Sequence, residues 1–370
     1  MMSKLNNLQE TIEQLTKNAA ISSARYSFVL QVVDYYFEIS SNSEQICHQL
    51  QTYFAHLPQP SSAENCIKII ILQTEAASLN INWLDWRREA GKSGRKDMYF
   101  DFENTRLIYK YRTGMTFLQN ETLKLAVGPC LENLNQIVNF INNQYMNQIQ
   151  HEDWLICHAS ACAYQNTALS FAGYSGGGKS TIMLHLLNQQ GFKFISNDRL
   201  FIKNKNNQLI ARGIPKLPRV NPGTLLNNSK LKTILSDSEV KKFEQLSEDE
   251  LWQLEHKYDV DVSQVYGSDK FADNQPLSAL FILNWSHTLD EPTLVQSIDI
   301  AEKTHLLSAI MKSPGPFYQD KSGVFLENQN KPDAKVYTEC LKDIQLFEVT
   351  GGVNFATLRN FCTQFLAEQK

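Results

Sequence analysis

The nine residues Gly173-Tyr174-Ser175-Gly176-Gly177-Gly178-Lys179-Ser180-Thr181 carry the most specific chemical signal in the chain. They fit G-x-x-x-x-G-K-[ST], the pattern of a phosphate-binding loop. Glycines let backbone N–H groups approach phosphate oxygens without side-chain obstruction. A helix starting at the loop adds partial positive charge at that point. Lys179 has the reach to meet the β- and γ-phosphates of a nucleotide, and the Ser180 hydroxyl suits Mg²⁺. The alternative is a glycine-rich turn that happens to match. The flanks favour the loop: TALSFA before it reads as a strand, and TIMLHLLNQQ after it has helical spacing and ends at Gly191. No guanine-reading N-K-x-D occurs, so ATP is the expected nucleotide. All nine residues are candidate cofactor-binding positions.

Three further segments flank this loop. His158 stands fifteen residues before Gly173, near the end of the preceding strand. Asn197-Asp198 follow a short apolar strand, Phe192–Ile195, and Arg212-Gly213-Ile214 lie past a second hairpin around Asn204–Gln208. By residue type alone, His158 is equally a core histidine, Asp198 a turn or cap residue, and Asn197 a turn residue. Arg212 opens RGIPKLPRVNPGT, where Pro215, Pro218 and Pro222 stiffen a loop carrying Lys216 and Arg219. Those cations suit either nucleotide phosphates or an acidic substrate. They also suit an ordinary solvated connection.

Residues 154–225 together resemble HPr kinase/phosphorylase, and more closely the HPr-kinase-related group called HprK-related kinase B. The resemblance rests on a His on the strand before the glycine loop, an acidic strand end after the helix, and the Arg-Gly segment. It implies an α/β fold with a P-loop core of the HPr-kinase/phosphoenolpyruvate-carboxykinase type built on a mixed sheet. It also implies an ATP- and Mg²⁺-dependent phosphotransferase acting on a hydroxyl, either a serine of a small protein or a small metabolite. In that reading His158, Lys179, Asn197 and Asp198 are catalytic, Ser180 and Asp198 hold the metal, and Arg212 joins the nucleotide site. A homo-oligomer and an ATP-grasp pathway partner are further implications. The chain departs from the family pattern at three points. Thr181 follows Ser180 where the family has Glu, Asn197 replaces one of two carboxylates, and Leu209-Ile210-Ala211 stand where a Glu precedes Arg-Gly. An amide has no usable basicity near neutral pH, so Asn197 cannot be a general base. The second reading is therefore a non-catalytic ATP-binding regulatory module. A motor- or transporter-type ATPase is disfavoured, because the apolar strand Leu280–Leu283 runs into Asn284-Trp285 and not into a carboxylate.

These residues need a frame. Residues 1–150 read as a smaller α+β domain with a partner or regulatory role. Within it, Tyr26–Ser40 predicts a strand or hairpin, Ser43 a helix cap, Cys66–Gln73 a buried strand, residues 98–127 a meander, and Leu131–Ile149 a helix. Residues 151–370 read as the kinase-like domain, with a lid at 226–275. There Trp154–Tyr164 and Thr167–Ala172 predict a hairpin, and Leu277–Trp285 a central strand. Residues 259–274 predict an irregular loop, Ala334–Leu341 a helix, Ile344–Val349 a strand and Phe355–Phe365 a closing helix. Gly351-Gly352 reads as a turn, with a cleft wall as the other option.

Composition bounds the rest. With 370 residues, 42% hydrophobic and 20% charged, the chain has material for about two folded domains. A formal net charge of −4 argues against nucleic acid as a partner. No apolar run approaches the roughly 20 residues needed to span a bilayer, and the polar start lacks a secretory h-region. The seven cysteines are scattered and include no C-x-x-C pair, so buried thiols in a cytoplasmic protein are expected.

Overall fold

The computed structural model describes residues 8–88, 94–174, 176–247, 250–251, 254 and 256–369. Ser175, the third residue of the glycine loop, falls outside the described set, as do parts of the 226–275 segment. The molecule is a mixed α/β protein with two compact units. One unit comprises residues 1–152 with 314–331, and the other comprises 153–313 with 332–370. No helix among the described residues is long and apolar enough to cross a membrane.

In the first unit, helix α1 (Leu8–Leu15) precedes the hairpin β1 (Tyr26–Val32) and β2 (Tyr35–Ser41), then helix α2 (Glu44–Tyr53) and strand β3 (Ile67–Gln73). Strands β4 (Leu84–Asp85), β5 (Asp97–Phe102), β6 (Thr105–Lys110), β7 (Met115–Gln119) and β8 (Lys124–Gly128) follow, and helix α3 (Leu134–His151) ends the run. The eight strands form one sheet, ordered β1-β2-β3-β8-β7-β6-β5-β4. Ser43 does precede α2, but its side chain makes no cap hydrogen bond.

Residues 314–331 were expected in the second domain and pack in the first unit instead. The reason is a buried polar seam. Arg106, only 1% exposed, pairs with Asp101 and donates to the Pro316 and Leu326 carbonyls. Gln119 and Asn147 both donate to the Phe317 carbonyl. Buried donors demand partners, and this returning segment supplies them.

The second unit begins with β9 (Leu155–Cys157), β10 (Ala159–Tyr164), β11 (Thr167–Gly173) and helix α4 (Lys179–Leu187). Next come β12 (Phe192–Ser196), β13 (Leu200–Lys205), β14 (Gln208–Arg212), β15 (Arg219–Val220), α5 (Pro222–Leu226), α6 (Asp237–Phe243), β16 (Tyr258–Asp259) and α7 (Val262–Tyr266). Strand β17 (Gln275–Leu283), β18 (Leu294–Ser297), helix α8 (Ala334–Leu341), β19 (Gln345–Thr350) and helix α9 (Phe355–Glu368) complete it. Strands β11, β17 and β19 are parallel neighbours; antiparallel β10 lies on one side, with β12 beyond it running in the direction of β11, and antiparallel β18 lies on the other.

Alternation builds the core of this sheet. Leu169, Phe171, Ala279, Phe281 and Leu283 join α4 and α9 on one face. Ala168, Ala172, Leu280, Ile282 and Leu346 pack with Tyr337 and Leu341 of α8 on the other. Phe171, Phe281 and Phe347 stand in register across the three parallel strands, with successive ring centroids 5.3 and 5.0 Å apart. Such stacked rings hold the strand that carries the glycine loop to its neighbours.

Candidate functional site

Parallel strands in an α/β sheet leave a crevice beyond their carboxyl ends, where ligands commonly bind. Here β11 ends at Gly173, β17 at Leu283 and β19 at Thr350, and a cavity of about 1010 Å³ opens at that edge. Its wall takes residues from the turns after these strands: Gly176–Thr181, 287–293 and 352–355. The turn after β12 and the loop at 214–227 close the far side.

The glycine turn is built by close approach. Gly178 caps α4 at φ 85°, in the left-handed region, and a Cβ there would lie 2.8 Å from the Phe355 ring. Trp285 donates its indole N–H to the Gly177 carbonyl at 2.9 Å, pinning the turn from outside. The Lys179 ammonium curls back, donating to the carbonyls of Gly173 at 2.7 Å and Tyr174 at 3.0 Å. The Ser160 hydroxyl donates to the Lys179 carbonyl, and Thr181 shares a hydrogen bond with Thr224 of α5. Gly176, Gly177, Gly178, Lys179, Ser180 and Thr181 all line the cavity. Gly173 and Tyr174 contribute carbonyls to the lysine and are not among the lining residues.

His158 and Asp198 meet because two connections cross at one sheet end. The run Trp154–Tyr164 is not one strand but two, divided at His158. Before it, Cys157 pairs with Leu200 of β13; after it, Ala159 pairs with Ala172 of β11. The His158 backbone N–H bonds to the Ile310 carbonyl at 2.7 Å. The turn from β12 to β13, closed by the Ser196 hydroxyl donating to the Arg199 carbonyl, holds Asn197-Asp198 beside that break. His158 Nε2 lies 3.2 Å from Asp198 Oδ1, with Lys312 Nζ at 3.8 Å and Arg199 Nε at 4.0 Å from Oδ2.

Electrostatics sorts these groups. Burial, reinforced by the charges of Lys312 and Lys179, pulls the His158 pKa down despite its bond with Asp198. The imidazole is therefore neutral near pH 7 and donates its Nε2 proton to the carboxylate. For Asp198, desolvation is the largest single effect and pushes upward. The His158 hydrogen bond and the charges of Lys312 and Arg199 together outweigh it, holding the carboxyl well below the usual range. Asn197 also lines the cavity, and its Oδ1 is buried without a hydrogen-bond partner among the described residues.

Arg212 is displaced from the expected role. It does not line the cavity. Its guanidinium lies over the Trp154 ring at 4.5 Å and donates to Asn274 at 2.7 Å, and the side chain is 3% exposed. The neighbouring glycine matters more to the site. A Cβ on Gly213 would stand 1.8 Å from the Ile195 carbonyl, so only glycine lets this chain press onto the end of β12. That approach carries Lys216 and Arg219 to the cavity wall.

No family model and no curated protein matches the chain. Among solved structures it is similar to the Hpr(Ser) kinase/phosphatase from Coxiella burnetii, at 12% identity and a TM-score of 0.29. That match covers 58% of this chain and 92% of that one. A likeness of that size carries no argument about this chain, and the site stands on its own geometry.

Several residues at the site gave no sequence signal. Lys312, which approaches Asp198 Oδ2, lies far along the chain from it. His185 reads as one more residue of a helix, yet it stacks on Phe355 at 5.6 Å between ring centroids and lines the cavity. Of the Gly351-Gly352 turn, Gly352 lines the cavity, while Gly351 packs so closely that a Cβ there would meet the Pro292 carbonyl at 2.1 Å. The span 259–274 is more ordered than expected: it holds α7, capped by Asp261. Leu231, Leu235, Phe243, Val260 and Val262, from the segment expected as a lid, are buried in the α4 core, while Leu251 and Lys257 line the cavity.

The oxygen donors present suit Mg²⁺. Ser180, Asp198 and the orphaned Asn197 carbonyl share one cavity, and magnesium prefers such hard ligands.

Proposed function

We propose that this cleft binds Mg²⁺-ATP and passes the terminal phosphoryl group to a hydroxyl on a small protein or a small metabolite. In this reading the second unit is a P-loop core of the HPr-kinase type. The observation that carries it is the glycine turn at the end of a central parallel strand, whose lysine shares one cavity with the His158–Asp198 pair. The N–H groups at the start of α4 would receive phosphate oxygens, and the Lys179 ammonium would exchange its loop carbonyls for them. Magnesium, when bound, would neutralise charge between the β- and γ-phosphates; Ser180 and Asp198 would hold it, with Asn197 as an added oxygen. His158 keeps Asp198 ionised and fixed. It is a poor immediate acceptor for the hydroxyl proton while its Nε2 donates to that carboxylate.

One observation favours the second reading, a regulatory module that binds ATP without transferring phosphate. Asn197 brings an amide where a base would serve. The two readings part in one assay. Labelled ATP is incubated with candidate small proteins and hydroxylated metabolites, using the wild type and Asp198→Ala. The kinase reading expects transfer by the wild type that falls at least about 100-fold in the variant. Nucleotide binding with no transfer to any acceptor favours the module.

A further inference from the structure

The sheet divides the cavity into two sides. Strand β11, which carries the glycine turn, has β10 and then β12 on one side and β17 and then β19 on the other. His158 immediately precedes β10 and Asp198 follows β12, so their pair stands on the first side. Residues 287–293 follow β17 and residues 352–355 follow β19, and these line the second side. A nucleotide whose terminal phosphate meets Asp198 lays its nucleoside toward the second side. Asp290 and Glu291 reinforce that direction. They line this part of the cavity, where carboxyl groups accept from ribose hydroxyls or an exocyclic amine and oppose phosphate. The second side is also firmly built. Ser286 N–H bonds to the Gly351 carbonyl at 2.9 Å, and Gly352 N–H to the Glu291 carbonyl at 3.0 Å. Trp285 meets Phe355 edge-on, with ring centroids 5.2 Å apart. Phe355 in turn stacks on His185, the two rings within 10° of parallel. His185 stands one helical turn after Thr181 on the same face of α4, and both line the cavity. His185 and Phe355 are each half-buried.

We infer that the His185–Phe355 pair is the seat of the adenine base, which stacks on these rings on the side of the glycine turn away from Asp198. The inference rests on the nucleotide reading of that turn and adds where the rest of the nucleotide lies. Two rings already held parallel offer a π-face to a base at little ordering cost. The seat adjoins the phosphate cradle directly, since a Cβ on Gly178 would stand 2.8 Å from the Phe355 ring. The state of His185 agrees. Burial and the charge of Arg359 pull its pKa down, so the imidazole is uncharged near pH 7. An uncharged ring is covered by a base without the desolvation that a cation would demand.

The test titrates the full chain calorimetrically with Mg²⁺-ATP and with Mg²⁺-tripolyphosphate, which carries the phosphates and no base. The proteins are the wild type, His185→Ala, His185→Phe and Lys179→Ala, each checked for an unchanged melting profile. The wild type is expected to bind ATP more tightly than tripolyphosphate. His185→Ala should weaken ATP binding by roughly 5- to 150-fold, the usual worth of one base–aromatic stack, and leave tripolyphosphate unchanged. His185→Phe keeps a flat ring at the same place and should retain most of the ATP affinity. Equal ATP affinity in His185→Ala and wild type overturns the inference. So does an equal fall for ATP and tripolyphosphate, which would make His185 a support of the phosphate cradle. Lys179→Ala reports on the glycine turn separately. A fall for both ligands upholds the phosphate grip whatever His185 does. Unchanged binding of both, with the ATP loss in His185→Ala intact, removes the grip and keeps the base seat. Binding of neither ligand by the wild type removes both.

Discussion

At the scale of single residues, the site depends on a neutral histidine bound to an ionised aspartate. Because burial favours neutral His158 in the folded chain, unfolding takes up a proton once the pH drops below roughly 6.5. His158 therefore contributes stability that is present above that pH and lost as pH falls through its lower folded value. Denaturant midpoints at pH 7 and pH 5 should show a smaller loss for His158→Gln than for the wild type. An identical loss would mean that folding does not lower the His158 pKa, contradicting the dominance of burial over the Asp198 bond. The placement of Lys179 and Ser180 at a strand–turn–helix junction on the cavity wall was legible from spacing alone, since the motif and its flanking elements are local. That His158 and Asp198 share a site was implied only by the family resemblance, and their direct contact was not legible at all. Lys312 was not legible at all, because its proximity depends on a backbone contact between His158 and Ile310 that no local pattern encodes.

Elements position these residues through backbone contacts that leave no space. Gly213 is the clearest case, with the Ile195 carbonyl where a methyl would be. Gly213→Ala should cost about 3 kcal/mol in chemical denaturation, at the upper end for overpacking. A midpoint within error of the wild type would show that the loop does not need this approach. The parallel strands were readable as apolar runs bounded by turn residues, the pattern of strands buried on both faces, but their order was not. The break in Trp154–Tyr164 was hidden because both halves are apolar and extended. Only pairing to different neighbours divides them. The turn around Asn206 and Asn207, both at positive φ, was readable from residue type. The order within 259–274 was not, since α7 is short and its apolar residues are few.

At the scale of the whole molecule, two cores share one chain that returns to its first unit at 314–331. Local periodicity cannot reveal such a return, because its cause is a set of distant polar partners. Arg106 is the hub, pairing with Asp101 and two carbonyls and stacking over Trp86, Tyr99 and Phe325. Arg106→Leu strands those partners and should lower stability by about 3–5 kcal/mol in denaturant unfolding. A loss under about 1 kcal/mol would show that the returning segment is held by its apolar contacts alone.

The proposed function depends first on whether the glycine turn grips a nucleotide. The most direct measurement is calorimetric titration of Mg²⁺-ATP into the wild-type chain and Lys179→Ala, with matched melting profiles. Saturable one-to-one binding that weakens at least about 10-fold in the variant is the predicted result. Binding of equal strength in both proteins, or none in the wild type, would contradict it.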